Sequence, residues 1–384
     1  MSSPQTWASH WSFPPEVIYL NHGSFGPSPR VVQEARQAWT TRLETQPCLF
    51  FLRGLVEALN EARQALANFL NCAADDLGFV DNATTGMNVV AASFPLEEGD
   101  EVLLTDHEYG AVQRIWEHTC QESGAILKTA TIPLPIQSAD EVIQALLTEI
   151  TPNTKLLVVS HVSSATAIVF PVEKITAAFQ EKGIAVCIDG PHAVAMRDVN
   201  LSALDCDFYT ASCHKWLCAG FGSGFLYVHP RHRDSIQPPV RSWGRMPGRE
   251  PQRWQDELEW QGTRDPAAFL SIPTAIQFLS EIGLDAFRSH GYEGVKAAYD
   301  RLTPLCRGPL LVPMAQDWLG TMVSLPIGEV NPLGLGGDLW LKNLIEVPIF
   351  TWNDYHFLRI SWHIYNQEKH LDKLEQSLKS LLPL

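Results

Sequence analysis

The sequence predicts an α/β fold built on a mostly parallel sheet, with a smaller α+β unit at the C-terminal end. Three observations predict it. Short, nearly continuous apolar segments alternate with helical stretches through the first two thirds of the chain, which is how strands buried on both faces read. The residues with chemical character fall just after such strands, where open α/β sheets bind their ligands. The length, 384 residues, exceeds what one core usually organises.

Taken in order, VIYLNHGSFGPSP reads as a short strand breaking into a Gly/Ser/Pro turn. Apolar residues at helical spacing predict helices near Arg30–Thr45 and Leu52–Leu70. DLGFVDN then runs into the helix ATTGMNVVAAS, and DEVLLTD into AVQRIWEHTCQES. AILKTATI, a helix near Ala139–Ile150, KLLVVSHV, a helix around Glu173–Gln180 and IAVCID follow. The stretch from Pro238 to Thr263, rich in Trp, Arg, Pro and Gly, reads as a structured surface loop. Its part Arg241–Trp260 is a candidate substrate entrance or subunit interface. Helices near Pro266–Ser280 and Asp285–Leu302, strands TMVSLPI, VPIFTW and FLRISW, and an amphipathic helix Gln367–Leu382 complete the chain.

A formal net charge of −15 argues against nucleic-acid and anionic-membrane partners, both polyanions. The eight cysteines form no C-x-x-C pair, so neither a disulfide framework nor a metal site is expected. The N-terminus has no basic start followed by an apolar core, and no apolar run is long enough to span a bilayer. A cytoplasmic protein is the expectation.

Three segments carry chemistry. In DFYTASCHKWLCAGFGSGFLYV, Lys215 follows an apolar strand and precedes a Gly-rich loop, flanked by Ser212, His214 and Trp216. A lone lysine at an element end is usually a surface charge; these neighbours instead resemble phosphate-binding donors beside an amine. Desolvation or nearby positive charge would keep that amine reactive. In AVCIDGPHAV, Asp189 ends an apolar strand 26 residues before Lys215, room for a crossover and one further strand. A helix N-cap is its plainer reading, and His192 beside it is either a site residue or a structural histidine. In DNATTGMN, Thr84, Thr85 and Gly86 open a helix, as an anion site or as an ordinary cap. A nicotinamide-binding fold would place G-x-G-x-x-G between the first strand and a helix. The nearest match, Gly220 to Gly224, runs into a strand.

Together these segments, with YLNHGSFGPSP, TDHEYGAV, SHVSSATAIVFPV and LRISWHIYN, resemble the class V aminotransferase family of fold-type I pyridoxal-phosphate enzymes. The resemblance covers nearly the whole chain and leans to the isopenicillin-N-epimerase-like branch. It implies an aspartate-aminotransferase-like fold with a large cofactor-binding domain over 23–265, and a small domain over 266–384 joined by the arm 1–22. It implies pyridoxal 5′-phosphate held as an imine on Lys215, with Asp189 paired to the ring nitrogen. Thr84, Thr85, Ser212 and His214 would hold the phosphate, and Tyr109, or His107 nearby, would stack on the ring. His192 would face the ring oxygen, and Ser164 falls where relatives often carry Asn. Gln261–Thr263 matches the segment that reaches the neighbouring subunit's phosphate, which implies a homodimer with shared sites. Arg359 would clamp the substrate carboxylate, with Asn21 and His22 as substrate-side neighbours.

The implied function is α-proton removal from an amino acid, with epimerase or racemase chemistry as the favoured outcome. Class V transamination and C–S lysis are the alternatives, and a catalytically silent cofactor-binding protein is the non-enzymatic one. NLIEVPIFTWNDYHFLRIS has no cysteine where related cysteine desulfurases carry their nucleophile. This disfavours a persulfide route.

Overall fold

The computed structural model describes residues 7–242 and 252–382. Twelve strands run in chain order: β1 (Ile18–Tyr19), β2 (Leu77–Val80), β3 (Glu101–Thr105), β4 (Ile126–Ala130), β5 (Thr154–Ser160), β6 (Ala185–Asp189), β7 (Phe208–Ser212), β8 (Gly224–Val228), β9 (Met322–Pro326), β10 (Ile345–Glu346), β11 (Ile349–Trp352) and β12 (Tyr355–Ser361). Seven form one sheet in the order β2-β8-β7-β6-β5-β3-β4. Strands β3 to β7 pair in parallel, and only β8 runs against its neighbours β7 and β2. The predicted architecture is the observed one.

Alternation explains why these strands read as continuous apolar runs. Val102, Leu104, Leu156, Val158 and Cys187 enter the core on one face of the sheet, while Leu103, Leu157, Val159, Val186 and Ile188 enter the core on the other. Both faces are packed, so the strand middles are mostly apolar and most polar side chains fall at the strand ends. At roughly 25 cal/mol per Å² of apolar surface, this burial is the main force assembling the sheet.

The C-terminal unit carries the antiparallel sheet β11-β12-β9, with Arg359 opposite Ser324 in register. The N-terminal arm joins it: β1 pairs with β10, and Asn21 bridges to Ser361. The Arg30–Thr45 helix falls where periodicity put it. The next one starts earlier than predicted. Pro47–Leu49 and a π-helical turn at Phe50–Gly54 lead into Leu55–Leu70. The expected Pro266–Ser280 helix is two, Ala267–Leu270 and Ile272–Ile282, with Pro273 in the first turn of the second. A helix at Pro332–Asn343 escaped the sequence reading, because its three glycines read as loop. Of the Trp/Arg-rich segment, residues 243–251 lie outside the described residues; Trp254–Glu259 is helical.

Candidate active site

The carboxyl ends of β2, β3, β5, β6 and β7 meet one edge of the large sheet, and a cavity of about 380 Å³ opens there. It is not the largest recess on the described surface, but it is where the reactive side chains converge. Its walls include Thr84, Tyr109, Ser164, Asp189, His192, Ser212, His214, Lys215 and Arg359.

Asp189 is the last residue of β6 and is buried. Its carboxylate faces the cavity with no hydrogen bond or ion pair from the described residues. The N-cap reading therefore fails, since no short helix follows to be capped. Gly190 is required next: a Cβ there would sit 2.1 Å from the Tyr209 ring on β7. Lys215 extends from the turn after β7, and its Nζ lies 3.2 Å from Nε2 of His192. Burial and the charge of Arg359 push the Lys215 amine down, opposed by Asp189. Burial pushes the Asp189 carboxyl up, opposed by Lys215. Such an amine is both a nucleophile and a base near neutrality. His192 stays neutral, held far below its usual range by burial and then by Lys215, Arg359 and His214.

The helix Ala83–Ser93 points its N-terminus at the cavity. Asn82 caps it through the N–H of Thr85, and the Ser212 hydroxyl accepts from the N–H of Ala83 at 3.0 Å. Close approach to β7 demands Gly86, where a Cβ would lie 2.0 Å from the Thr210 hydroxyl. Nδ1 of both His192 and His214 is buried without a partner. Burial and Lys215 hold His214 low, at about 4.

Arg359, on β12, projects to the opposite wall. Its Nη2 donates to the Ser24 hydroxyl at 2.6 Å and its Nη1 to the Ser164 carbonyl at 2.7 Å. The guanidinium lies 4.5 Å from the centre of the Phe350 ring. No described carboxylate pairs with it, its Nε is unpartnered, and burial lowers it to about 9. A buried cation without a counter-ion is a site for an anion.

Four expected site residues lie outside the cavity walls. Thr85 spends its N–H, and its hydroxyl at 3.3 Å, on Asn82 as part of the cap. Asn21 donates to Glu346, away from the cavity. His22 is sealed beneath the Lys215 loop, its ring bridging the Tyr365 hydroxyl and the Lys215 carbonyl, each at 3.0 Å. With Cys218 and His363 it forms a buried cluster, but the two imidazoles stack 3.9 Å apart, so their nitrogens lie side by side. Thr263 is exposed and away from this chain's own cavity. Tyr109 and His107 are also separated: Tyr109 lines the cavity, half exposed, whereas His107 is buried against Thr166 and Trp352.

Sequence reasoning missed Ser24, Phe350 and Glu108. Ser24 reaches Arg359 only through the folding of a distant segment, and Phe350 from the adjacent strand of the β11-β12 hairpin; no local pattern marks either. Glu108 stood beside Tyr109 within TDHEYGAV and drew no notice, because a carboxylate next to a loop usually faces water.

The sheet order, with a cavity at its carboxyl edge, gives the fold of the fold-type I pyridoxal-phosphate enzymes. Residues 29–374 match the aminotransferase class-V family, and the chain belongs to it. It is 34% identical to the isopenicillin N epimerase of Amycolatopsis lactamdurans over 96% of each chain. It is 27% identical to a probable chloroplastic L-cysteine desulfhydrase of Arabidopsis thaliana, over 96% of this chain and 83% of that one. Among solved structures it resembles a lysine-to-alanine mutant of C-DES with glycine covalently linked to its pyridoxal-phosphate cofactor. That match has a TM-score of 0.84 at 22% identity, covering 95% of this chain and 96% of that one. The family and such neighbours are dependent on pyridoxal phosphate. The residues present fit that group: an open buried carboxylate, two unpartnered imidazole nitrogens, a helix N-terminus and a depressed lysine share one cavity.

Proposed function

We propose that this chain binds pyridoxal 5′-phosphate through Lys215 and removes the α-proton of an amino acid, with epimerisation or racemisation as the outcome. The observation that carries the reading is that Lys215, Asp189 and Arg359 open into one cavity with Arg359 lacking any described counter-ion. The relative named as an epimerase, alike over 96% of both chains, favours the outcome.

When bound, pyridoxal phosphate supplies an electron sink that makes an amino acid's α-proton removable. Asp189 would accept a hydrogen bond from its ring nitrogen, and Thr84, Ser212 and His214 would hold its phosphate. Arg359 grips the substrate carboxylate as a fork, which fixes the α-carbon relative to the amine of Lys215. Lys215, with its amine already biased towards the neutral form, takes the proton. The Tyr109 hydroxyl returns a proton from the other side. The same residues begin transamination and C–S elimination, and the desulfhydrase relative makes C–S lysis the second reading.

The working form in this proposal is a homodimer, with Thr263 reaching the partner's cavity. Its exposure outside its own chain's cavity supports that. Sedimentation at twice the chain mass is expected.

The test is the absorption spectrum of the purified wild type beside Lys215→Ala, before and after a panel of L- and D-amino acids, with product analysis. A visible band abolished by borohydride and by the mutation is expected, with both enantiomers formed from either one. A keto acid or a sulfide product would move the assignment to transaminase or lyase. A protein that takes up no pyridoxal phosphate would end the reading.

A further inference from the structure

Glu108 precedes Tyr109 but turns inward, behind the cavity wall. It is 6% exposed. Its Oε1 accepts from the Thr105 hydroxyl at 2.7 Å and the Ser160 N–H at 3.1 Å, and its Oε2 from the Ser160 hydroxyl at 2.6 Å. Among the described residues three donors and no cation hold it. Ser160 ends β5 and is the register partner of Asp189, the end of β6. In a parallel pair, register partners project to the same face. The residue that clamps Glu108 therefore stands beside Asp189, and two carboxyls share the closed end of the sheet. One opens to the cavity without a hydrogen bond; the other is shut behind it.

The titratable groups around Glu108 can be named. From β6 come Asp189 and Cys187, both within its electrostatic reach. On its own turn, His107 faces Thr166 and Trp352, and Asp106 accepts from the N–H of Ile132. Lys215 lies beyond Asp189, in the cavity. Neither carboxyl forms an ion pair with a described cation. Like charges in a dry interior disfavour each other's ionisation.

We propose that Glu108 is a positioning residue that acts through Asp189, its charge setting how tightly Asp189, and through it the cofactor's ring nitrogen, holds a proton. The inference rests on the pyridoxal-phosphate reading for its second half only. The hydrogen bonds from Thr105 and Ser160 fix the carboxyl in place, and above neutrality, where it ionises, Asp189 transmits its charge to whatever faces the cavity. With Glu108 ionised, two negative charges retain the ring proton. Without that charge one remains, and the proton is held less tightly.

The experiment uses the full chain as wild type, Glu108→Gln and Glu108→Asp. Gln keeps the shape and an acceptor for the Ser160 N–H while removing the charge; Asp keeps the charge on a shorter arm. In the unloaded protein, carboxyl-carbon NMR follows the loss of the Asp189 proton. In protein loaded with isotope-labelled pyridoxal phosphate, the ring-nitrogen resonance follows the ring proton. Glu108→Gln is expected to lower both midpoints by about one pH unit, with Glu108→Asp close to wild type. Wild-type midpoints in Glu108→Gln, or an equal shift in Glu108→Asp, would overturn the inference. If the Asp189 midpoint moves but wild type takes up no cofactor, the coupling of the two carboxyls stands and the cofactor reading fails.

Discussion

Two buried arginines divide this molecule into a part that is finished and a part that waits. Arg63, in the Leu55–Leu70 helix, is 2% exposed and gives Nη2 to both oxygens of Glu259 at 2.6 and 2.7 Å. Glu259 also accepts from the N–H of Phe79, so one ion pair ties a helix, β2 and the Trp254–Glu259 helix together. Arg359 is as deeply buried, 1% exposed, and meets only hydroxyls, a carbonyl and a ring. Both leave Nε unpartnered, but the first has a carboxylate against its charge and the second has none among the described residues. Burial alone therefore does not mark function here. An open valence in a dry place does, because folding would have selected a partner had stability been its only use.

Substitutions at three positions sharpen that contrast. The largest effect belongs to the finished pair. Arg63→Ala leaves Glu259 buried and uncompensated, and should lower unfolding free energy by about 3–5 kcal/mol, while kcat/KM of the folded fraction stays at the wild-type value. Denaturant titration beside steady-state kinetics checks both halves. A stable Arg63→Ala protein would erase the distinction.

Arg359→Met should do the reverse. Losing two charge-assisted hydrogen bonds to a substrate carboxylate costs about 3 kcal/mol, on the order of 100-fold in kcat/KM. The melting temperature should hold or rise, because a desolvated, unpaired cation has gone. Arg359→Lys should fall between, since the charge remains but the fork is lost. An Arg359→Met enzyme with unchanged KM would remove the clamp from the mechanism.

The smallest effect is a pH dependence. Burial raises the Glu108 carboxyl from 4.5 to about 7. Its contribution to stability is therefore fully present below about 4.5 and is lost as pH rises through about 7. Glu108→Gln should flatten this stretch of the curve, by about 1–3 kcal/mol between the two ends. Chemical denaturation of the unloaded protein at several pH values measures it. A variant that loses stability across that range as wild type does would show that other groups govern the slope.

Much of the large domain was legible because its cause is local and repetitive. Strands packed on both faces need unbroken apolar runs, and crossover helices need helical spacing, so alternation alone announced a parallel sheet. Lys215 and Asp189 stood out for a related reason: one follows and the other ends an apolar strand, where an ordinary solvated charge is unusual. The Pro332–Asn343 helix was not, since its stability comes from Leu335 and Leu339 packing inward rather than from propensity.

The sequence by itself determined the sheet, the family and which residues carry charge near strand ends, for these follow from period and composition over a few residues. Only the tertiary structure decided which of them share a cavity. It sent Tyr109 to the wall and His107 into the core, though they are two residues apart. It sealed His22 under the Lys215 loop, and it brought Ser24 and Ser164 to Arg359 from two distant segments. It also set Glu108 behind Asp189, a pairing fixed by the register of β5 with β6. Contacts between residues far apart in the chain depend on how separate elements pack, and no short stretch of sequence encodes that.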